Sequence, residues 1–137
     1  MYEKILAAID ESDVADRVLA ATQELATLSG GEVWVIHARE REPSKFMVSA
    51  TESTADAQAV VDAAVQKLAG SGLTVHGEVA DTLYGYAARE IINYAKSNDV
   101  GVIVMGSRGL GDLAGLLVGS TAHKVIHLAD RPVIVIR

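Results

Sequence analysis

Apolar residues along this chain follow two alternating rhythms. Short, dense apolar runs lie at residues 4–10 (KILAAID), 32–38 (EVWVIHA), 100–105 (VGVIVM) and at the C-terminus (RPVIVIR), and residues 73–79 (LTVHGEV) alternate more weakly. Runs of this length, rich in Val and Ile and bounded by polar residues or glycine, predict strands. Between them, apolar residues recur every three or four positions: Val14, Val18, Ala21, Leu25 and Leu28, then Ala57, Val61, Ala64 and Leu68. Two further stripes follow, at Tyr84, Ala88, Ile91 and Ala95 and at Val118, Ala122, Val125 and Ala129. Each set falls on one face of a helix. Ser12 is placed to cap the first helix, with Asp13 and Asp16 in its first turn, and Gly30-Gly31 to end it through a left-handed cap. The polar segment 39–54, which holds Pro43, reads as a loop.

The resulting order, βαβαβαβαβ, forces parallel strands joined by right-handed crossovers. The expected fold is α/β: a single domain over residues 1–137, with an open five-stranded parallel sheet in the order 3-2-1-4-5 and helices on both faces. Ligands in such sheets bind beyond the carboxyl ends of the strands, where the strand order reverses. That crevice lies between the first and fourth strands. The residues that follow them, Asp10-Glu11-Ser12 and Gly106-Ser107-Arg108-Gly109, are therefore the first candidates for a site.

Composition narrows the function classes. The 137 residues carry a net charge of −6 and no cysteine, which excludes a disulfide framework, a thiol nucleophile and a thiolate metal site. No basic stripe is present, because ARERE dilutes its own positive charge, so neither nucleic acid nor a membrane surface is an expected partner. No run approaches the roughly 20 apolar residues of a membrane span, and the N-terminus lacks the basic flank of a signal peptide. The expected location is the cytoplasm. His123 and His127 stand four apart on one helical face, but no adjoining glutamate or third ligand accompanies them, and no metal site is expected. His37 and His76 are expected at strand ends with backbone partners, and YEKI and ARERE as solvated charge.

Residues 102–121, VIVMGSRGLGDLAGLLVGST, hold five of the chain's twelve glycines. A P-loop is excluded, since no lysine stands before a Ser or Thr after the glycines. A dinucleotide fingerprint through Gly109, Gly111 and Gly115 lacks the tight strand-to-helix turn and the acid ending the next strand. A third spacing, Gly106-x2-Gly109-x9-Gly119-Ser120, puts two glycines directly after the fourth strand and Gly-Ser-Thr at the start of the fourth helix. A helix N-terminus offers free N–H groups and partial positive charge, which suit a phosphate. Gly119 would let phosphate oxygens approach the backbone, with Ser120 and Thr121 adding hydroxyl donors.

This spacing and its flanks, from the Asp10-to-Ser12 strand end through VIHA and VIVMGSRG to LLVGSTAHKVIHLADRPVIVIR, resemble the ATP-binding branch of the universal stress protein family. The resemblance runs the whole chain and implies the adenine nucleotide alpha-hydrolase-like fold. It also implies that Asp10 sits beside the nucleoside and that Ala38 meets the adenine. Met105, Gly106, Arg108 and Gly109 would line the ribose and phosphates, and Gly119, Ser120 and Thr121 would take the phosphates. The ligand would be ATP, ADP or AMP, with Mg2+ carried by the phosphates. Two positions depart from the family pattern: Asp-Glu-Ser replaces Asp-Gly-Ser after the first strand, and DTLYGYA replaces a Gly-x-Pro before the third helix.

Hydrolysis needs a group that orients water and stabilises the transition state, and no lysine stands at the phosphate end, so no catalytic residue is assigned. The leading expectation is a regulatory ATP-binding protein of the stress response with slow or absent turnover. The alternatives are a slow ATPase or autophosphorylating enzyme, with Ser120 or Thr121 as acceptor, and a nucleotide-independent interaction module. The short apolar strand Val133–Ile136 is a chain-terminal edge that invites pairing. The family dimerises through this strand, which implies a homodimer.

Overall fold

The computed structural model describes residues 2–43, 48–50, 52–107 and 119–137. Six strands and four helices follow in the order β1 (Lys4–Ala8), α1 (Ala15–Ser29), β2 (Glu32–Pro43), β3 (Val48–Ala50), α2 (Thr54–Ala69), β4 (Val75–Leu83), α3 (Ala87–Ser97), β5 (Val102–Gly106), α4 (Ser120–Leu128) and β6 (Val133–Ile136). The parallel strands lie in the order β4-β2-β1-β5-β6, which is the expected 3-2-1-4-5 arrangement. Strand β1 lies between β2 and β5, with Ala8 level with Ile36 on one side and Met105 on the other.

Alternation along the strands divides the core into two layers. Ile5, Ala7, Val33, Val35, Val102 and Val104 point to one face and pack with Val18 and Ala26 of α1 and Ala64 and Leu68 of α2. Leu6, Ala8, Trp34, Ile36, Ile103 and Met105 point to the other and pack with Ile91 and Ala95 of α3 and Ala122 and Val125 of α4. A strand buried on both faces needs apolar residues at every position, so β1 and β5 read as continuous apolar runs.

Several local expectations are corrected. Segment 39–54 is not one loop. Strand β2 runs on to Pro43, β4 follows it to Leu83, and β3 adds an antiparallel strand across residues 41–43. The polar pattern there concealed a strand because its backbone bonds go to neighbours that also leave the core. Tyr84 is not helical: α3 starts at Ala87, and Tyr84 occupies a turn. Ser12 does not cap α1, whose N-terminal residue Val14 has no side-chain cap; the Ser12 carbonyl accepts the Ala15 N–H instead. Of the acids expected in the first turn of α1, Asp16 lies there and Asp13 precedes the helix. Gly30 does close α1 in the left-handed region, at φ 68°.

ARERE is not merely solvated charge. The Arg39 guanidinium donates to the Asp81 carboxylate at 2.8 Å and to the Glu52 carbonyl at 3.0 Å, tying β2 to β4 and to the residues before α2. His76 has a side-chain partner rather than a backbone one: its Nε2 lies 3.0 Å from Glu32 Oε2, and its ring stacks on Trp34 at 4.8 Å. Arg131, just before the last strand, donates to the carbonyls of Ala95 and Val100.

Candidate functional site

Where the strand order reverses, the carboxyl ends of β1, β2 and β5 and the N-terminus of α4 enclose a pocket of about 440 Å3. That volume lies in the range of small-molecule and cofactor sites. Its walls bring together Asp10, Ala38, Met105, Gly106, Gly119, Ser120 and Thr121, seven of the nine residues singled out from the sequence. The other two, Arg108 and Gly109, lie outside the described residues, as does Val118 of the fourth stripe.

At one end, β1 stops because Asp10 folds its carboxylate back onto the chain. Asp10 Oδ1 accepts the Ser12 N–H at 2.8 Å, an Asx turn that diverts the backbone into α1. At the other end, Gly119 precedes α4 in an extended conformation, its carbonyl accepts the His123 N–H at 2.9 Å, and no side chain caps the helix. The first turn of α4 therefore presents the N–H groups of Ser120, Thr121 and Ala122, with two hydroxyls, toward the pocket. The Gly119 N–H is not among these donors, since it goes to the Ser107 carbonyl. Ser107 in turn donates its own N–H to the Ile136 carbonyl at 2.7 Å, so one residue joins the helix start to the last strand.

Between these ends lies an apolar floor of Ile36, Ala38, Ala87, Ile91 and Met105. Beside it, His37 is 4% exposed and bonded through both ring nitrogens. Nδ1 lies 2.9 Å from the Ile9 carbonyl and Nε2 lies 2.5 Å from Glu52 Oε1. A carbonyl only accepts, so Nδ1 carries a hydrogen and Nε2 meets the Glu52 carboxyl group. The other Glu52 oxygen, Oε2, is buried without a partner among the described residues. Glu40 completes the rim and accepts the Gly85 N–H at 2.6 Å.

Asp10, Glu11, Glu40 and Glu52 all line the pocket, and the described lining holds no lysine or arginine. The arrangement can donate hydrogen bonds to an anion at α4, accept them at the carboxylates, and cover a flat apolar group at the floor. Among the described residues no group of three or more His, Asp or Glu side chains is placed to hold a metal ion, and no described helix is long and apolar enough to cross a membrane.

Ser107, one of the residues singled out after the fourth strand, does line the pocket, whereas sequence reasoning missed Glu40, Glu52 and Tyr84. These reach the pocket because β2 and β4 overrun the core, which the polar segment hid. His37 was expected at a strand end with a backbone partner; it has the partner, the Ile9 carbonyl, but lies in the middle of β2, and its bond to Glu52 was not foreseen.

The family model for the universal stress protein family matches residues 1–137. A universal stress protein of Bacillus subtilis is 33% identical, with the match covering all of both chains, and one of Thermus aquaticus is 34% identical over all of both chains. The solved structure of a universal stress protein from Archaeoglobus fulgidus in complex with dAMP is 30% identical, with a TM-score of 0.72 over 99% of this chain and 98% of that one.

Proposed function

Because the chain belongs to the universal stress protein family, we propose that it binds an adenine nucleotide, ATP foremost, in the pocket between β1 and β5. Nucleotide occupancy would regulate a homodimer of the stress response. One observation carries this reading: a helix N-terminus with two hydroxyls and with first-turn N–H groups unpartnered among the described residues shares one pocket with Asp10 and an apolar floor. The dAMP bound by the Archaeoglobus fulgidus relative supports the same ligand class.

The parts divide by chemistry. Ser120 and Thr121 would bond phosphate oxygens through backbone N–H and hydroxyl, helped by the helix dipole. Asp10, held by Ser12, would accept from ribose hydroxyls. The floor at Ala38 and Met105 would cover the base. Four carboxylates around a polyanion are unfavourable, which favours a nucleotide whose phosphates are already neutralised by Mg2+. The ion would supply charge compensation, held by the phosphates. Slow or absent hydrolysis fits a phosphate end whose described donors are all neutral, because fast transfer requires cationic stabilisation of the developing charge.

Calorimetric titration of MgATP into the wild type and into Gly119→Val tests this reading. Binding by the wild type and at least tenfold weaker binding by the variant is expected, with little change in its unfolding temperature without ligand. No heat from either protein would leave a nucleotide-independent interaction module as the better reading.

A further inference from the structure

On the reading that this pocket holds a nucleotide, we infer that Tyr84 is the residue that covers the exposed face of the base. The observation is a largely exposed aromatic ring placed against the pocket, with no ring or cation on it among the described residues. Tyr84 lines the cavity yet is 67% exposed, and it brings the only aromatic carbocycle among the described lining residues.

Its position is fixed by the backbone. Residues 83–86 form a turn in which the Tyr86 N–H bonds the Leu83 carbonyl at 3.1 Å and Gly85 takes φ 91°, the geometry of a type II turn. Three further bonds hold that turn. The Tyr84 N–H donates to the Arg41 carbonyl at 2.9 Å and the Gly85 N–H to Glu40 Oε2 at 2.6 Å. Lys124 Nζ reaches the Gly85 carbonyl from α4 at 3.3 Å. Such fixing costs chain entropy, and it presents a ring that gains nothing from burial in the folded protein.

The neighbouring aromatic shows the contrast. Tyr86 has the Arg89 guanidinium over its ring at 4.8 Å, whereas among the described residues no ring or cation lies on Tyr84. The same pocket is lined by the aliphatic side chains of its floor, Ile36, Ala38 and Met105. A flat heterocycle lying on that floor has one face left for water, and a fixed phenol at the rim is suited to close it. Base–aromatic stacking is strong enough to matter, and it is indifferent to the edge of the base. Tyr84 would therefore add affinity for a base, while the floor and carboxylates deal with its edge.

The test is AMP titrated into the wild type, Tyr84→Phe and Tyr84→Ala, with proton NMR of the adenine H2 and H8 in each. Expected are near-equal affinity for wild type and Tyr84→Phe, and a loss of roughly tenfold in Tyr84→Ala. The upfield ring-current shift of the adenine protons should be present in the first two proteins and absent in the third. Unchanged affinity and unchanged shifts in Tyr84→Ala would overturn the inference while leaving the nucleotide site standing. A loss in Tyr84→Phe as large as in Tyr84→Ala would overturn it in favour of a hydroxyl contact. No AMP binding by the wild type would remove both the inference and the reading beneath it.

Discussion

His37 Nε2 and Glu52 Oε1 stand 2.5 Å apart, although one residue belongs to a core strand and the other to the segment leading into α2. The bond fastens that segment against β2, and it does so with the second carboxylate oxygen buried and without a partner among the described residues. Removing one partner of a buried hydrogen-bonded pair leaves the other unsatisfied, and deleting a buried ring adds a cavity. His37→Ala should therefore lower stability by about 3 kcal/mol, read as a reduced urea midpoint with an unchanged slope. A loss below about 1 kcal/mol, the level of an exposed pair, would mean that Glu52 reaches water when His37 is gone.

Asp10 holds a turn and has a proposed place in the nucleotide site, and a pair of substitutions can separate the two. Asn keeps an oxygen for the Ser12 N–H, whereas Ala removes it. Asp10→Asn is expected to leave stability within about 0.5 kcal/mol and Asp10→Ala to cost about 1 kcal/mol. Both should weaken MgATP if the carboxylate meets the ribose. Equal stability for the two variants would show that the turn does not depend on this side chain.

Burial, aided by the nearby Glu78 carboxylate, pushes the Tyr94 phenol up from 10.0 to about 12. The folded state then holds a proton that the unfolded chain releases near pH 10. The contribution is intact below pH 10 and is lost as pH rises through about 12, so stability should fall across that window. Tyr94→Phe should flatten that decline, and absorbance at 295 nm should show one tyrosine ionising late. Identical alkaline unfolding of wild type and variant would dismiss the account.

Helix α2 crosses β4 at very close range over Gly77. A Cβ added there would lie 2.6 Å from Val61 Cγ1 and 2.7 Å from Val65 Cγ2, and β-branched side chains on a helix have no rotamer freedom to yield. Gly77→Ala should cost about 1–3 kcal/mol, measured by thermal unfolding. A neutral result would mean that α2 can slide.

The proposed dimer gives its own mass test. Light scattering should return twice the 14.4 kDa of the chain. Ile134 is 37% exposed on β6, and Ile134→Lys should shift the population to monomer by putting a charge on the pairing strand. A monomeric wild type would remove the dimer from the proposal.

The parallel sheet order was legible because β1 and β5 are buried on both faces and every residue in them had to be apolar. Most of the seven foreseen residues of the pocket wall were legible for a related reason: Asp10, Met105 and Gly106 stand where strands end, and Gly119, Ser120 and Thr121 where a helix begins, whereas Ala38 lies within β2. The rim was not legible. Glu40, Glu52 and Tyr84 lie on backbone whose bonds are satisfied outside the core, where no hydrophobic period records them. Ser12 misled for a comparable reason. A residue suited to capping stands too early: α1 starts at Ala15 with Val14 before it, and at Ser12 the backbone N–H is engaged by the Asp10 carboxylate while the chain is still turning toward the helix.

Ser107 has a further consequence. Its carbonyl takes the Gly119 N–H at the start of α4, and its own N–H holds the final residue of β6. The ligand-facing helix and the free margin of the sheet are thus two hydrogen bonds apart. A partner laid along that margin and a ligand seated at that helix would press on the two peptide groups flanking one residue. By reciprocity, whatever factor one gives to the other's affinity it must receive in return. On the proposed reading, the nucleotide level would then be reported as a change in association, with no moving domain.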